Sequence, residues 1–307
     1  MLSVVIPLYN KGPHIADTLN KVLAQTVAPL EVIVVDDGST DHGPSVVKGY
    51  AAQGVRLIQQ ANQGVSAARN AGVAHARSSY VAFLDADDEW LPEHMEQLTR
   101  LIQRYPDAAL FSTAHQIRRD GHLIQPRLAF PLGWSGVVED FFGTYANGLS
   151  LVNSSTACVR KDALEAVGCF PVGMKRGEDV IVWLKLALAY PSAHASVVTA
   201  VFNQEAVNRS DMNHETQPPG SLLFMKNCLS GDTVPAHHRH SFGQLFDQIA
   251  VMTAAGYRLK GDTQAAWSIA YLAFETARYK TAAIISFVNI MPQRLLKSLR
   301  QWRHRTA

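Results

Sequence analysis

Tyr80-Val81-Ala82-Phe83-Leu84-Asp85-Ala86-Asp87-Asp88 is a short apolar run that ends in three carboxylates within four positions. Its length and its bounding turn residues make it a buried strand of a largely parallel sheet. Carboxylates crowded at the end of such a strand repel one another and lose hydration, so they need a cation or hydrogen-bond donors. Earlier runs share the form: Ser3–Leu8, Glu31–Val35 and Val55–Ile58 are short, rich in β-branched residues and bounded by turn residues. Between them, Ile15–Gln25, Pro44–Ala52 and Val65–Ala76 carry apolar residues at helical spacing. This order predicts an α/β fold, a mostly parallel, doubly wound Rossmann-like sheet flanked by helices. Sheets of this kind bind ligands beyond the carboxyl ends of their strands. The unusual residues fall at those ends: Tyr9-Asn10 after the first strand, Asp36-Asp37-Gly38-Ser39 after the second, Asp85 to Asp88 after the fourth.

Each of these segments supports a chemical reading beside a plainer one. Hard divalent cations take oxygen ligands, and Mg²⁺ or Mn²⁺ bridges carboxylates to phosphate oxygens; the acids at 85–88 suit that use, while some of them also suit the start of a helix near Pro92. Gly38 allows a sharp turn, and the carboxylates around it can accept hydrogen bonds from a base or ribose edge; Ser39 or Asp41 can equally cap a helix. Gly64 opens a helix that places Arg69 near its start, where a cation reaches an anionic ligand. In Gly177-Glu178-Asp179 the acids favour a helix N-terminus, or supply a general base. The segment Pro7-Leu8-Tyr9-Asn10-Lys11-Gly12-Pro13 lacks the G-x-G-x-x-G that a dinucleotide site requires after its first strand.

Further along, Pro92 opens a helix over Glu93–Arg104, and the alternation around Asp120-Gly121 predicts a hairpin. Residues Gly133–Leu151 are aromatic and glycine-rich without a clear period, which makes them loop or irregular helix. Helices are predicted at Lys161–Val167, ended by Gly168, and from Glu178 through Ala189, stopped by Pro191. A Pro-, Gly- and polar-rich linker is expected from about His214 to Ala236, followed by helices at Phe242–Tyr257 and Thr263–Tyr279. His237-His238-Arg239-His240 are consecutive, not spaced for one helical face, so they fit a solvated helix start better than a metal site. The domain reading is residues 1–212 for a binding and catalytic domain and 213–307 for a helical C-terminal region.

A formal net charge of +2 points away from nucleic acid. The apolar fraction of 47% and charged fraction of 18% are those of a folded protein. Cys158, Cys169 and Cys228 are odd in number and widely spaced, as expected of reduced thiols in a cytoplasmic protein. The chain enters its first strand at once, which argues against a signal peptide, and no run reaches the roughly 18 apolar residues of a spanning helix. After Glu275 there is no acidic side chain, while Arg278, Lys280, Arg294, Lys297, Arg300, Arg303 and Arg305 accumulate among apolar residues. Such a basic amphipathic segment, residues 281–307, fits peripheral contact with the inner face of a membrane, or packing on the protein with a solvated basic face.

Taken in order, Ser3–Asn10, Val34–Asp41, Gly64–Gly72, Phe83–Asp88, Val159–Phe170 and Gly177–Asp179 resemble glycosyltransferase family 2, over roughly residues 1–210. The resemblance implies the GT-A fold and an inverting transfer from a nucleotide-sugar. It implies that Tyr9 and Asp37, with Pro7 and Asp36 beside them, contact the base, and that Arg69, Asp85 and Ala86 lie against the nucleotide-sugar. It implies that Asp85 and Asp87 form the D-x-D metal motif for Mn²⁺ or Mg²⁺, and that Asp179 deprotonates the acceptor hydroxyl. Many relatives place a histidine where this chain has Asn203; Arg209 and Ser210 match a commoner ending. The Q-x-x-R-W signature of processive members is absent, so transfer of one sugar is expected. Its acceptor would be a glycan or lipid-linked glycan of surface polysaccharide or lipopolysaccharide assembly, the donor a UDP-sugar. A nucleotidyltransferase would leave the Gly177-Glu178-Asp179 helix without a role, and a non-catalytic glycan-binding subunit would not need the acids.

Overall fold

The computed structural model describes residues 1–147, 151–174, 176–206 and 218–296. Arg209, Ser210, the boundary at 212, the opening of the expected linker at 214–217 and the basic tail from Lys297 onward lie outside the described residues. The chain forms two compact units, one of Met1–Phe141 with Leu149–Met212, the other of Phe142–Gly148 with Asn213–Ala307.

In the first unit, strands β1 (Ser3–Leu8), β2 (Glu31–Asp36), β3 (Val55–Gln59) and β4 (Tyr80–Phe83) alternate with helices α1 (Gly12–Leu23), α2 (Gly43–Lys48) and α3 (Val65–His75). The strands lie parallel in the order β3-β2-β1-β4. Val4, Val5, Ile6, Ile33, Val34 and Val35 are wholly buried, as near-continuous apolar strands covered on both faces must be. Helix α3 presses on the sheet through Gly72, where a Cβ would come within 2.3 Å of Val5 Cγ1.

The acidic segment leads into a short strand β5 (Glu89–Trp90) and helix α4 (His94–Arg104). A long strand β6 (Leu110–Arg119) turns at Asp120-Gly121, both left-handed, into β7 (His122–Ile124), the predicted hairpin. The stretch expected as loop from Gly133 contains β8 (Ser135–Val137), which adds to the sheet edge, and a short helix α5 (Phe141–Ala146). Then come β9 (Ala157–Arg160), α6 (Lys161–Ala166), α7 (Glu178–Ala189) and β10 (Ser192–Asn203). The sheet continues β4-β9-β6-β10-β5; β9 is antiparallel to both neighbours, while β6 and β10 are parallel to each other. The result is the expected α/β sheet flanked by helices, with its long strands running one way.

The second unit contains helices α8 (Gly220–Ser230), α9 (Arg239–Leu259), α10 (Thr263–Glu275) and α11 (Tyr279–Ile290). Helix α8 falls inside the stretch read as a linker: Pro218, Pro219 and Gly220 sit at its start, where proline is tolerated, and Leu222, Met225 and Cys228 give it a buried side. The single helix expected over Thr263–Tyr279 ends at Glu275, and α11 restarts at Tyr279 after Ala277 takes a left-handed conformation. No described helix is long and apolar enough to cross a membrane. None of the three cysteines is disulfide-bonded, and burial pushes the Cys158 thiol above its ordinary value.

Candidate active site

The carboxyl ends of β1, β2 and β4 bring their loops together because parallel neighbours end on the same side of the sheet. The first loop is laced to the second. Asn10, itself left-handed, takes the Ser39 hydroxyl oxygen as acceptor for its N–H at 2.9 Å, and its side-chain oxygen accepts the Thr40 N–H at 2.8 Å. Asp41 accepts from Gly43 N at 2.9 Å and from Gly12 N at 2.7 Å, so one side chain satisfies orphan donors at the starts of α2 and α1. The ring of Tyr9 stands 47% exposed at the rim, next to the half-buried Pro7.

Asp36 and Asp37 are both buried and already engaged. Asp36 accepts from Ser39 N at 2.9 Å and Gln59 Nε2 at 3.0 Å. Asp37 accepts from Gln60 Nε2 at 2.7 Å, Gln63 N at 2.9 Å and Gly64 N at 2.8 Å. Their first effect is therefore on the shape of the 60–64 loop. That loop ends in Gly64, whose φ of 91° and ψ of 163° are open in practice only to glycine.

From Gly64, α3 carries Arg69 to the centre of the site. Arg69 is 3% exposed; its Nη2 donates to Asp85 Oδ1 at 2.8 Å and its Nη1 to Glu178 Oε1 at 2.9 Å. Burial alone would lower the guanidinium's pKa, but Asp85, Glu178 and Asp179 outweigh it and hold the pKa above its ordinary value. Glu178, in turn, is raised by burial and by its neighbour Asp179, against the pull of Arg69. The Arg69 guanidinium also stacks over Phe170, 5.3 Å from the ring centre. It thus joins the acidic segment to the start of α7, two segments more than ninety positions apart in sequence.

Within the acidic segment, the three aspartates take different partners. Asp85 holds Arg69, and Asp87 receives the Lys11 ammonium at 2.6 Å. Asp88 is buried and accepts from Ser155 Oγ at 2.5 Å and Asn203 N at 2.8 Å. Burial, followed by the charges of Asp85 and Asp87, pushes the Asp88 carboxyl well above the usual range. Of the two readings open for these acids, cation or helix start, the Asp88 side chain serves no helix start directly: it links the loop to the end of β10 and to Ser155. Glu89 likewise pairs with Lys21 and Arg118. Ala86 is buried, its carbonyl receiving the Thr18 hydroxyl at 2.9 Å. Beside the loop, a cleft of about 260 Å³ is lined by His14, Asp87, Arg118 and Asn203 among others.

Two residues that sequence reading passed over complete the frame. Ser154 and Ser155 lie in a single 3₁₀ turn, Ser154–Thr156, with Asn153 at its N-terminal flank. Ser154 Oγ donates to Asp179 Oδ2 at 3.1 Å. Ser155 Oγ accepts from Asp85 N at 3.1 Å while donating to Asp88, and its carbonyl takes Trp90 Nε1 at 2.6 Å. One turn therefore orients both the acidic segment and Asp179. Nothing in the run Asn153-Ser154-Ser155-Thr156 carries a period; the turn is held locally by the Thr156 hydroxyl, which accepts the Asn153 N–H at 3.0 Å.

The site suits a divalent cation by its donor chemistry. Asp85 and Asp87 present hard carboxylate oxygens near the surface, and the Lys11 ammonium on Asp87 marks a position where positive charge is already drawn. No group of three or more His, Cys, Asp or Glu placed to hold a metal ion converges among the described residues. Asn203, where the resemblance leads one to expect a histidine, uses its backbone N–H on Asp88.

The chain is similar over 99 residues, at 48% identity, to the uncharacterized glycosyltransferase YibD of Escherichia coli, covering 32% of this chain and 29% of that protein. It is 42% identical over 105 residues to the uncharacterized glycosyltransferase alr2836 of Nostoc, covering 33% of each. The matches thus span about a third of the length of these relatives. Among solved structures, Staphylococcus aureus TarS 1–349 in complex with UDP-GlcNAc superposes with a TM-score of 0.73 at 18% identity, over 98% of this chain and 91% of that one. The mannosyltransferase PcManGT of Pyrobaculum calidifontis, in complex with GDP-Man and Mn²⁺, gives 0.56 at 19% identity over 98% and 84%. These likenesses show the GT-A fold. The profile of glycosyl transferase family 2 matches residues 3–168, and with more than half of its length so matched the chain belongs to that family.

Proposed function

We propose that this protein transfers one sugar from a nucleotide-sugar, a UDP-sugar by preference, to a hydroxyl of a glycan or lipid-linked glycan, with inversion at the anomeric carbon. The observation that carries this reading is the Arg69 bridge, which joins Asp85 to Glu178 and so brings the acidic segment and the start of α7 into one site. The UDP-GlcNAc and GDP-Man held by structural neighbours support a nucleotide-sugar as donor.

In this reading the base stacks on the exposed face of Tyr9 beside Pro7, within loops that Asp36 and Asp37 hold in shape. Asp85 and Asp87 hold a Mn²⁺ or Mg²⁺ ion, whose chemistry is to offset charge on the diphosphate. Arg69, with Asp85 and Glu178 on its guanidinium, fixes the acids relative to α7. Ala86 sets the loop's path through Thr18. Asp179, oriented by Ser154, takes the proton of the acceptor hydroxyl. The freed oxygen attacks the anomeric carbon as the bond to the diphosphate breaks, and that electron pair leaves with the nucleoside diphosphate. Lys11, beside Asp87, adds positive charge on the side where negative charge grows.

Calorimetric titration with UDP, with and without Mn²⁺, tests the donor half of the proposal. Binding is expected to tighten about tenfold or more with Mn²⁺, and Asp87→Ala to abolish that gain. Absence of UDP binding, or binding indifferent to both metal and mutation, would sink it.

A further inference from the structure

Lys11 is held in place on every side. Its neighbours in the chain are both tied to the second loop, the Asn10 N–H on Ser39 Oγ at 2.9 Å and the Gly12 N–H on Asp41 at 2.7 Å. Its carbonyl accepts the N–H groups of His14 at 2.9 Å and Ile15 at 3.0 Å, which starts α1. The side chain turns inward, 12% exposed, with Nζ 2.6 Å from Oδ2 of Asp87, which is 13% exposed. A lysine ammonium is rarely so covered, and holding it there gives up rotamer freedom. Lys21, also on α1, shows the commoner use, partly exposed on Asp17 and Glu89.

The balance of charge gives this contact a consequence. Arg69 stands on Asp85 and Lys11 on Asp87, so each carboxylate proposed to hold a divalent cation already meets a cation of the protein. Arg69 is shared with Glu178 and belongs to the frame of the site. Asp87 is the one of the two that lines the open cleft. A divalent ion bonded to Asp87 must share that carboxylate with the ammonium, and positive charges so close repel strongly where water is largely excluded. A diphosphate reverses the balance, because it brings negative charge that both cations can share. We infer that Lys11 is the resident counter-ion of Asp87 and keeps Mn²⁺ or Mg²⁺ from binding tightly until a nucleoside diphosphate arrives. This rests on the proposed transfer from a nucleotide-sugar. Metal and nucleotide then bind as a coupled pair, each raising the other's affinity by the same factor.

Mn²⁺ uptake by the full chain, followed as loss of the electron paramagnetic resonance signal of the free ion, tests this with and without UDP. The wild type is expected to bind Mn²⁺ about tenfold or more tightly with UDP than without it. Lys11→Met keeps length and removes charge, and it is expected to bind Mn²⁺ alone about tenfold or more tightly than the wild type. One charge at this range changes proton affinity about 10- to 1000-fold, and a divalent ion feels twice the force. UDP should then add correspondingly less. Lys11→Gln should follow Lys11→Met, whereas Lys11→Arg restores the charge and should restore the dependence on UDP; circular dichroism confirms the fold of each. A lysine that only braced the loop gives the opposite sign, since its loss would weaken Mn²⁺ binding. Unchanged or weaker Mn²⁺ binding by the folded neutral variants, with UDP still bound, overturns the role of Lys11 and leaves the nucleotide-sugar donor standing. Wild-type Mn²⁺ binding that ignores UDP overturns it too. A wild type that binds neither Mn²⁺ nor UDP overturns both.

Discussion

The first unit and the last two described helices of the second place their aromatic residues in opposite ways. In the first, Phe83, Trp90, Phe111, Phe170 and Trp183 are almost wholly enclosed, and ionised groups are drawn inward onto one another at the strand ends. In α10 and α11, Trp267, Tyr271, Phe274 and Phe287 are exposed, and the buried side of α10 is rich in alanine, while Phe242 and Phe246 of α9 are enclosed. The first arrangement is self-sufficient, since folding itself supplies each buried charge with a partner. The second leaves several large apolar side chains exposed on α10 and α11. Position within the fold therefore decides what an aromatic residue or a carboxylate is for.

Substitutions can break or sharpen this contrast. The largest effect is expected at the chemistry: Asp179→Asn should lower transfer by roughly 10²- to 10⁴-fold while leaving UDP-sugar binding unchanged, checked by turnover and calorimetry on one preparation. Retained turnover would remove Asp179 as the base. Next comes a matched pair of tryptophans. Trp183→Ala should cost about 3–5 kcal/mol in denaturant unfolding, whereas Trp267→Ala should change stability by less than about 0.5 kcal/mol. Equal costs would erase the distinction between the units. Ser155→Ala leaves the buried Asp88 without one of its donors and should cost about 1–3 kcal/mol. It should also weaken the Mn²⁺ dependence of UDP binding more than Ser154→Ala does.

The smallest effect is one of pH. Burial lowers His94 to about 3 and His194 to about 4, so both are neutral in the fold, whereas an unfolded chain protonates them near their ordinary 6.5. Their depressed folded values contribute stability that is present above about pH 6.5 and lost as pH falls toward 4, by at most about 1.4 kcal/mol per unit for each group. The stability difference between wild type and His94→Gln should accordingly shrink between pH 7 and 5.

How much of this was legible in the sequence depended on whether a residue's role leaves a period. Strands β1 to β4 and the helices between them stand in the sequence as apolar runs and helical spacings, and they fall within a few residues of where they were expected. The acids stood out because they interrupt those runs. Ser154 and Ser155 did not, since their value comes from contacts to positions 85, 88 and 179 across the fold. Helix α8 was hidden by the prolines that begin it. The break between α10 and α11 was hidden for the opposite reason, because Thr276-Ala277-Arg278 contains no residue that announces a turn. Asn203 was noticed as a departure, but its use lies in its backbone N–H, to which side-chain identity gives no clue.

Gly72 lies one turn beyond Arg69, at the closest approach of α3 to Val5. A single added methyl would lift that turn from the sheet, and the guanidinium would lose its reach to Asp85 and Glu178 together. The fidelity of the charged assembly is thus metered by an atom that is not there. Drift at position 72 should be as restricted as drift at the acids themselves, although nothing at that position touches a substrate.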